Sequence, residues 1–183
     1  MRIADHTLVE RAKGGDESAF TELLDRYEGP IFNLALRITG DWADAKDCTQ
    51  EAFLRAYQNL DRYDPEHRFF SWLYRIGINA ALDCVGDRWR RADDVEKRAS
   101  DPDPEGETLG REISGEIQEA LLELSEELRV VVVLRHLHGL SYAEMGEVVG
   151  VPAKTVKSRL YSARQRLREL LSDRGLSPRR RES

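Results

Sequence analysis

Cysteine is scarce in this chain: Cys48 and Cys84 are the only two in 183 residues, and no Cys-x-x-Cys or Cys/His cluster surrounds either. That excludes a disulfide framework and a zinc site of the usual spacing, and both thiols read as small hydrophobes in helical segments. Long apolar runs are missing as well. Nothing approaches the roughly 18 apolar residues of a membrane span. The N-terminal MRIADHTLVERAKGGD carries charges throughout, unlike a secretion signal. The chain is therefore expected to stay in the cytoplasm, with no membrane insertion. Catalytic signatures are absent too: no Gly-x-Ser-x-Gly, no phosphate-cradling glycine loop and no His-Glu-x-x-His. His136 and His138 lie two apart, on different faces of a helix, and do not readily share a metal. No enzyme, cofactor or metal is expected, and no repeat or strand-like alternation stands out.

What is present is charge, and it is unevenly spread. The net charge is −6, yet residues 92–128 hold 13 acidic and 3 basic side chains, while residues 129–183 hold 12 basic and 5 acidic. With a screening length of about 8 Å at physiological salt, each block acts on what it touches. The polarity of the chain matters more than its total.

Helix-period apolar residues fill the stretch from Thr7 to about Arg91. Ala19, Phe20, Leu23, Leu24 and Tyr27 form one stripe; Ile31, Leu34, Ala35 and Ile38 form a second. Cys48, Ala52, Phe53, Ala56, Tyr57 and Leu60 form a third, and Leu73, Ile76, Ile78, Ala80, Ala81 and Leu82 a fourth. Asp16 and Asp41 have the chemistry of N-caps, with Gly14-Gly15 and Gly40 as breaks before them. These stripes predict a four-helix bundle over residues 1–91. Residues 92–115 (ADDVEKRASDPDPEGETLGREISG) are acidic, proline-punctuated and aperiodic, and read as an extended linker. A second helical domain follows over 116–171, then a basic tail over 172–183. The fold class is all-α.

The most specific local signal is SYAEMGEVVGVPAKTVKSRLYSARQRLRELL. Ser141 and Glu144 have capping-box spacing, Met145, Val148 and Val149 are apolar, and Gly150 offers a left-handed stop. Pro152 suits the first turn of a new helix, which buries Val156, Leu160, Ala163, Leu167 and Leu171. Two short helices joined by a glycine turn make a helix-turn-helix corner, whose second helix enters the major groove. Its other face shows Lys154, Thr155, Lys157, Ser158, Arg159, Tyr161, Ser162, Arg164 and Arg166, with no acidic residue between Lys154 and Arg168. Unrelieved positive charge of this kind suits DNA phosphate. The N-terminal part is expected to reach base edges, and later arginines to hold phosphates.

With these motifs in order, the chain resembles an extracytoplasmic-function sigma factor of the sigma-70 family over nearly all of residues 7–171. DAKDCTQEAFLRAYQNL (44–60) is similar to the helix by which these factors grip the clamp helices of RNA polymerase's largest subunit. The resemblance thereby implies Asp44, Asp47, Gln50, Glu51 and Arg55 as polymerase contacts, with the polymerase flap as a further partner. An arc of carboxylates with one amide suits a basic protein surface and repels DNA. FFSWLYRIGINAALDCVGDRWRR (69–91) is similar to the helix that melts and reads the −10 element. The resemblance puts a pocket for a flipped base at the preceding loop, around Arg62, Tyr63, Asp64, His67, Arg68 and Phe69, with Asn79 nearby. Unpaired bases stack on aromatic rings while arginines hold the backbone, which suits Trp72, Arg88, Arg90 and Arg91. On the residues alone Trp72 is open between core packing and stacking, and His67 reads as a loop residue rather than a titrating switch.

The helix-turn-helix is similar to the family's reader of the −35 element, with Lys157, Ser158, Tyr161 and Ser162 at base-contact positions. Ser162 departs from a position often basic, and Lys154 from a frequent glycine. Gly77 and Gly146 stand where alanine is frequent, and each reads as a mark of tight packing. Promoter DNA, core polymerase and an anti-sigma factor are the partners implied. A stand-alone helix-turn-helix regulator and a protein-binding adaptor are the rival readings.

Overall fold

The computed structural model describes residues 3–92 and 115–176, and among them side chains other than those of 87–92. The chain divides into two compact units between Gly110 and Arg111. Among the described residues every regular element is helical. The expected linker (92–115) and basic tail (172–183) fall mostly outside the described residues. No helix among those described is long and apolar enough to cross a membrane.

The first unit is built from α1 (Asp5–Lys13), α2 (Glu17–Thr39), α3 (Trp42–Gln58), a 3-10 turn (Leu60–Arg62) and α4 (Phe69–Ala92). The caps are those expected. Asp16 accepts from the amides of Ser18 and Ala19, and Asp41 from that of Asp44. Gly40, at φ 71°, ends α2 in the left-handed region, where a Cβ would be strained. Two expectations are revised. The stripes ending at Tyr27 and beginning at Ile31 belong to one helix, because Leu23, Tyr27, Ile31, Leu34 and Ile38 continue a single 4-4-3-4 spacing. Pro30 sits inside it, denying the Arg26 carbonyl its amide partner, and burial on both sides outweighs that loss. The bundle's first helix is instead α1, whose Leu8 and Val9 are fully buried. Burying each of these side chains contributes roughly 1.5–3 kcal/mol. Asp5 fastens it to α2 by accepting from Arg26 and from the Tyr27 hydroxyl, the latter at 2.6 Å. Burial, together with Asp5, pushes the Tyr27 phenol far above its ordinary pKa.

Cys48 is buried on α3 and Cys84 half-buried on α4. Far apart in sequence, the two thiols are neighbours across this helix pair, and burial raises the Cys48 pKa. Gly77 of α4 meets α2: a Cβ there would lie 3.3 Å from the Ile31 methyls, so the glycine does mark close packing.

The second unit comprises α5 (Gly115–Leu122), α6 (Glu126–His136), α7 (Tyr142–Val149) and α8 (Ala153–Asp173). Val130 to Leu134, Met145, Val148, Val156, Leu160, Ala163 and Leu170 form its core. The buried stripe of α8 thus ends on Leu170 rather than on Leu167 and Leu171, which are half-buried. Arg129 is also inside, 6% exposed. Its guanidinium donates to the carbonyls of Leu121, Leu122 and Leu124 at 2.8–3.1 Å. The Leu121 and Leu122 carbonyls close α5 and that of Leu124 follows it; Leu121 also accepts from the Leu124 amide at 3.2 Å, and a cation there suits the helix dipole.

Candidate functional site

The corner forms as its residues dictate. The Ser141 hydroxyl accepts from the Glu144 amide, and the Glu144 carboxylate from the Ser141 amide at 2.9 Å, a complete capping box. Gly150 turns the chain at φ 71°, and α8 begins at Ala153 with Pro152 as its N-cap. Gly146 marks a tight approach in this turn, because a Cβ would stand 2.7 Å from the Val151 carbonyl oxygen and the backbone would have to shift. Val156, Leu160 and Ala163 face inward, so Lys154, Lys157, Ser158, Tyr161, Ser162 and Arg164 face solvent, with Thr155 half-buried. Tyr161 is 67% exposed.

This face is less one-signed than the helix alone implies. Arg159 is half-buried and paired with Glu127 of α6 at 2.9 Å, and Arg166 pairs with Glu169 at 3.1 Å. Lys154, Lys157 and Arg164 make no ion pair among the described residues. His136 and His138 lie before the corner. Burial lowers both, with Arg164 and Arg135 adding to the effect on His136, and His138 falls to about 4. Neither adds charge near neutral pH.

The loop entering α4 is a second cluster. Its anchor is Tyr63, 4% exposed, whose hydroxyl donates to the His67 carbonyl at 2.6 Å and closes the loop on itself. The Tyr63 ring lies 5.6 Å from Phe69 and 5.5 Å from Trp72, and Tyr27 joins from α2 at 5.7 Å from Phe69. Edge-on aromatic packing of this kind holds geometry as well as burying area. Asp64 accepts from the Glu66 amide at 2.9 Å. Arg62, Asp64, His67 and Arg68 are exposed, as is Asn79 two turns beyond the half-exposed Trp72. Arg68 lies over the Phe70 ring at 5.9 Å. The expected contacts therefore separate: Tyr63 and Phe69 are core, while Trp72 borders solvent and core together. The side chains of Arg88, Arg90 and Arg91 lie outside the described residues.

The third cluster is the outer arc of α3. Asp47 and Gln50 are exposed, and Asp44, Glu51 and Arg55 half-buried. Arg55 bridges Glu51 at 2.7 Å and Asp83 of α4 at 2.9 Å. Two apolar residues join this arc. Leu54 is 51% and Tyr57 52% exposed, so Tyr57 is not the core residue its stripe implied; its ring packs edge-on against Phe20 at 4.9 Å. Asp47, Gln50, Leu54 and Tyr57 run in a 3-4-3 spacing along one face. Leu54 was detectable in the sequence, since it falls out of phase with Cys48, Ala52, Phe53 and Ala56.

One helical unit carrying an acidic and apolar arc, and another carrying a helix-turn-helix with outward cations, define a protein that works between a protein machine and DNA. The family model "Sigma-70 region 2" matches residues 23–93, and "Sigma-70, region 4" matches residues 114–167. The extracytoplasmic-function (ECF) RNA polymerase sigma factor SigW of Bacillus subtilis is 35% identical, over 90% of this chain and 95% of its own length. The ECF sigma-E factor of Escherichia coli is 33% identical over 90% of this chain and 92% of its own. Among solved structures, CnrH in complex with the cytosolic domain of CnrY superposes with a TM-score of 0.70, 29% identity, and coverage of 93% of this chain and 99% of that one. This chain belongs to the extracytoplasmic-function sigma factors of the sigma-70 family. It is a non-enzymatic transcription initiation factor that acts with core RNA polymerase and promoter DNA.

Proposed function

We propose that the two units act as a two-point reader, with residues 1–91 binding polymerase and opening the −10 region and residues 116–171 docking the −35 duplex. Residues 92–115 span between them. On α3, Asp44, Asp47, Gln50 and Glu51 meet the polymerase, with Leu54 and Tyr57 as the apolar centre of that contact; Arg55 is a brace between α3 and α4. In the α4 entry loop, Arg62, Asp64, His67 and Arg68 line the surface for the separated strand, with Trp72 stacking and Asn79, Arg88, Arg90 and Arg91 following it along α4. Tyr63 and Phe69 shape that surface from below. On α8, Lys157, Ser158, Tyr161 and Ser162 meet base edges, and Lys154, Thr155 and Arg164 the backbone. Arg159, already neutralised by Glu127, is assigned to holding the helix rather than to phosphate.

The observation that carries this reading is the outward face of α8, where Lys154, Lys157 and Arg164 keep their charge beside the 67%-exposed Tyr161. An anti-sigma factor is inferred as a further partner. RpoE of Bartonella quintana, solved in complex with the anti-sigma factor NepR, superposes with a TM-score of 0.68 at 25% identity over 84% of this chain. The site of action is the cytoplasm. The test is run-off transcription by core polymerase with the purified full chain on a promoter library. Transcripts starting at one fixed distance from shared −10 and −35 sequences are expected, and loss of −35 preference on substituting Tyr161 by alanine. Promoter-independent transcripts only would refute the assignment.

A further inference from the structure

Lys13 is not part of any surface assigned above, and its position is unusual. It is the last residue of α1, followed by Gly14 and by Gly15 at φ 89°. Its ammonium donates to the Tyr63 carbonyl oxygen at 3.2 Å, 50 residues away in sequence, and sits 5.7 Å from the centre of the Tyr63 ring. Glu10 lies 3.7 Å from it, and the side chain is 21% exposed. Tyr63 is the residue on which the α4 entry loop turns: its hydroxyl holds the His67 carbonyl, and its ring supports Phe69 and Trp72. The rest of α1 is fixed independently, at its middle by Leu8 and Val9 in the core and at its far end by Asp5 on Arg26 and Tyr27. A helix anchored at one end thus places a cation on the loop from the other.

We propose that Lys13 is a positioning residue for strand separation, setting through Tyr63 the conformation of the loop that receives an unpaired base. This rests on the assignment of residues 62–69 and Trp72 as the single-strand surface. A charged donor to a carbonyl is among the stronger hydrogen bonds, and the cation over the Tyr63 ring adds to it. Both contacts vanish when the ammonium is replaced by a methyl-capped chain of similar length. A lysine that instead touched phosphate directly would betray itself in the salt dependence, since each such contact contributes about one to the slope of log affinity against log salt.

The experiment uses the full chain with core polymerase. Lys13→Met is compared with Lys13→Arg, which keeps a cationic donor, and with Arg68→Ala, which probes the loop itself. Promoter opening is followed by 2-aminopurine fluorescence in the −10 region, and strand binding by a labelled single-stranded −10 oligonucleotide over a salt series. Lys13→Met is expected to weaken oligonucleotide binding and slow opening roughly tenfold, the size expected from one charge-assisted hydrogen bond. Polymerase affinity, −35 duplex binding and salt slope should stay unchanged, and Lys13→Arg should restore most of the loss. Wild-type opening by Lys13→Met alongside a defective Arg68→Ala overturns the role of Lys13 alone; a Lys13→Met salt slope smaller by one does the same, by making it a phosphate contact. Wild-type opening by Arg68→Ala and Lys13→Met together overturns the loop assignment with it. Should Lys13→Met lower the thermal midpoint below the assay temperature, Lys13→Leu, which also lacks a donor and a charge, takes its place under the same expectations, with the assays run below its midpoint.

Discussion

The two units use the same residue types to opposite ends, and their cations show it best. In the first unit one set braces the helices, while Arg62 and Arg68 stay exposed at the α4 entry loop. Arg11 pairs with Asp16, Arg26 with Asp5 and Glu22, Arg55 with Glu51 and Asp83, and Lys13 holds the Tyr63 carbonyl. In the second, Arg129 is buried as a helix cap and Arg159 is neutralised, while Lys154, Lys157 and Arg164 are left outward. A surface that opens a strand is a loop and has to be braced from several helices. A surface that reads duplex is one side of a helix whose other side already belongs to the core, so reading and stability separate by face.

Three measurements test that contrast. The largest effect is expected from Arg129→Met, which removes the side-chain donors from the Leu122 and Leu124 carbonyls, leaves Leu121 only the Leu124 amide, and should destabilise the second unit by about 2–3 kcal/mol. Thermal unfolding of the full chain should show a lowered transition. A midpoint within a degree of wild type would mean that water satisfies those carbonyls equally well. Next comes Lys157→Ala, on the outward face. It should leave the midpoint unchanged yet weaken −35 binding roughly tenfold, and lessen the salt dependence if the contact is to phosphate. A stability change without a binding change would erase the separation by face.

The smallest effect concerns Asp16, where hydrogen bonds from Ser18 and from Arg11 hold the carboxyl at about 2 against an ordinary 3.8. A carboxyl with a lowered folded-state pKa stabilises above its unfolded value, and that stabilisation fades as the pH falls through the folded one. Asp16→Asn should thus lower the thermal midpoint at pH 7, and the gap to wild type should close between about pH 4 and pH 2. A gap that persists unchanged at pH 2 would make the effect one of shape rather than charge.

Much of this molecule was legible residue by residue. The Ser141–Glu144 box, the Asp16 and Asp41 caps, Gly150 and the tight glycines at 77 and 146 all depend on neighbours within a few positions, or on a missing Cβ. The errors have one origin. Tyr57 was counted with the core because position on a helix says which face a residue occupies, not what covers that face. The Arg159 charge looked unrelieved because Glu127 lies 32 residues earlier. Arg129 opens the basic block of 129–183, and nothing local announces that it will be buried against the carbonyls around the end of α5. The stripes ending at Tyr27 and beginning at Ile31 read as two helices, whereas packing against α3 and α4 carries α2 through Pro30.

The helical class, the helix-turn-helix corner and membership of a family of transcription initiation factors are readable from the chain alone. These follow from periodicity and caps, which act over one or two turns, and from motif order. Which cations stay unpaired, which rings become core and which apolar residues remain exposed is settled by packing in three dimensions. Those outcomes depend on groups brought together across tens of residues, where burial and pairing act over a few ångströms of space rather than of chain.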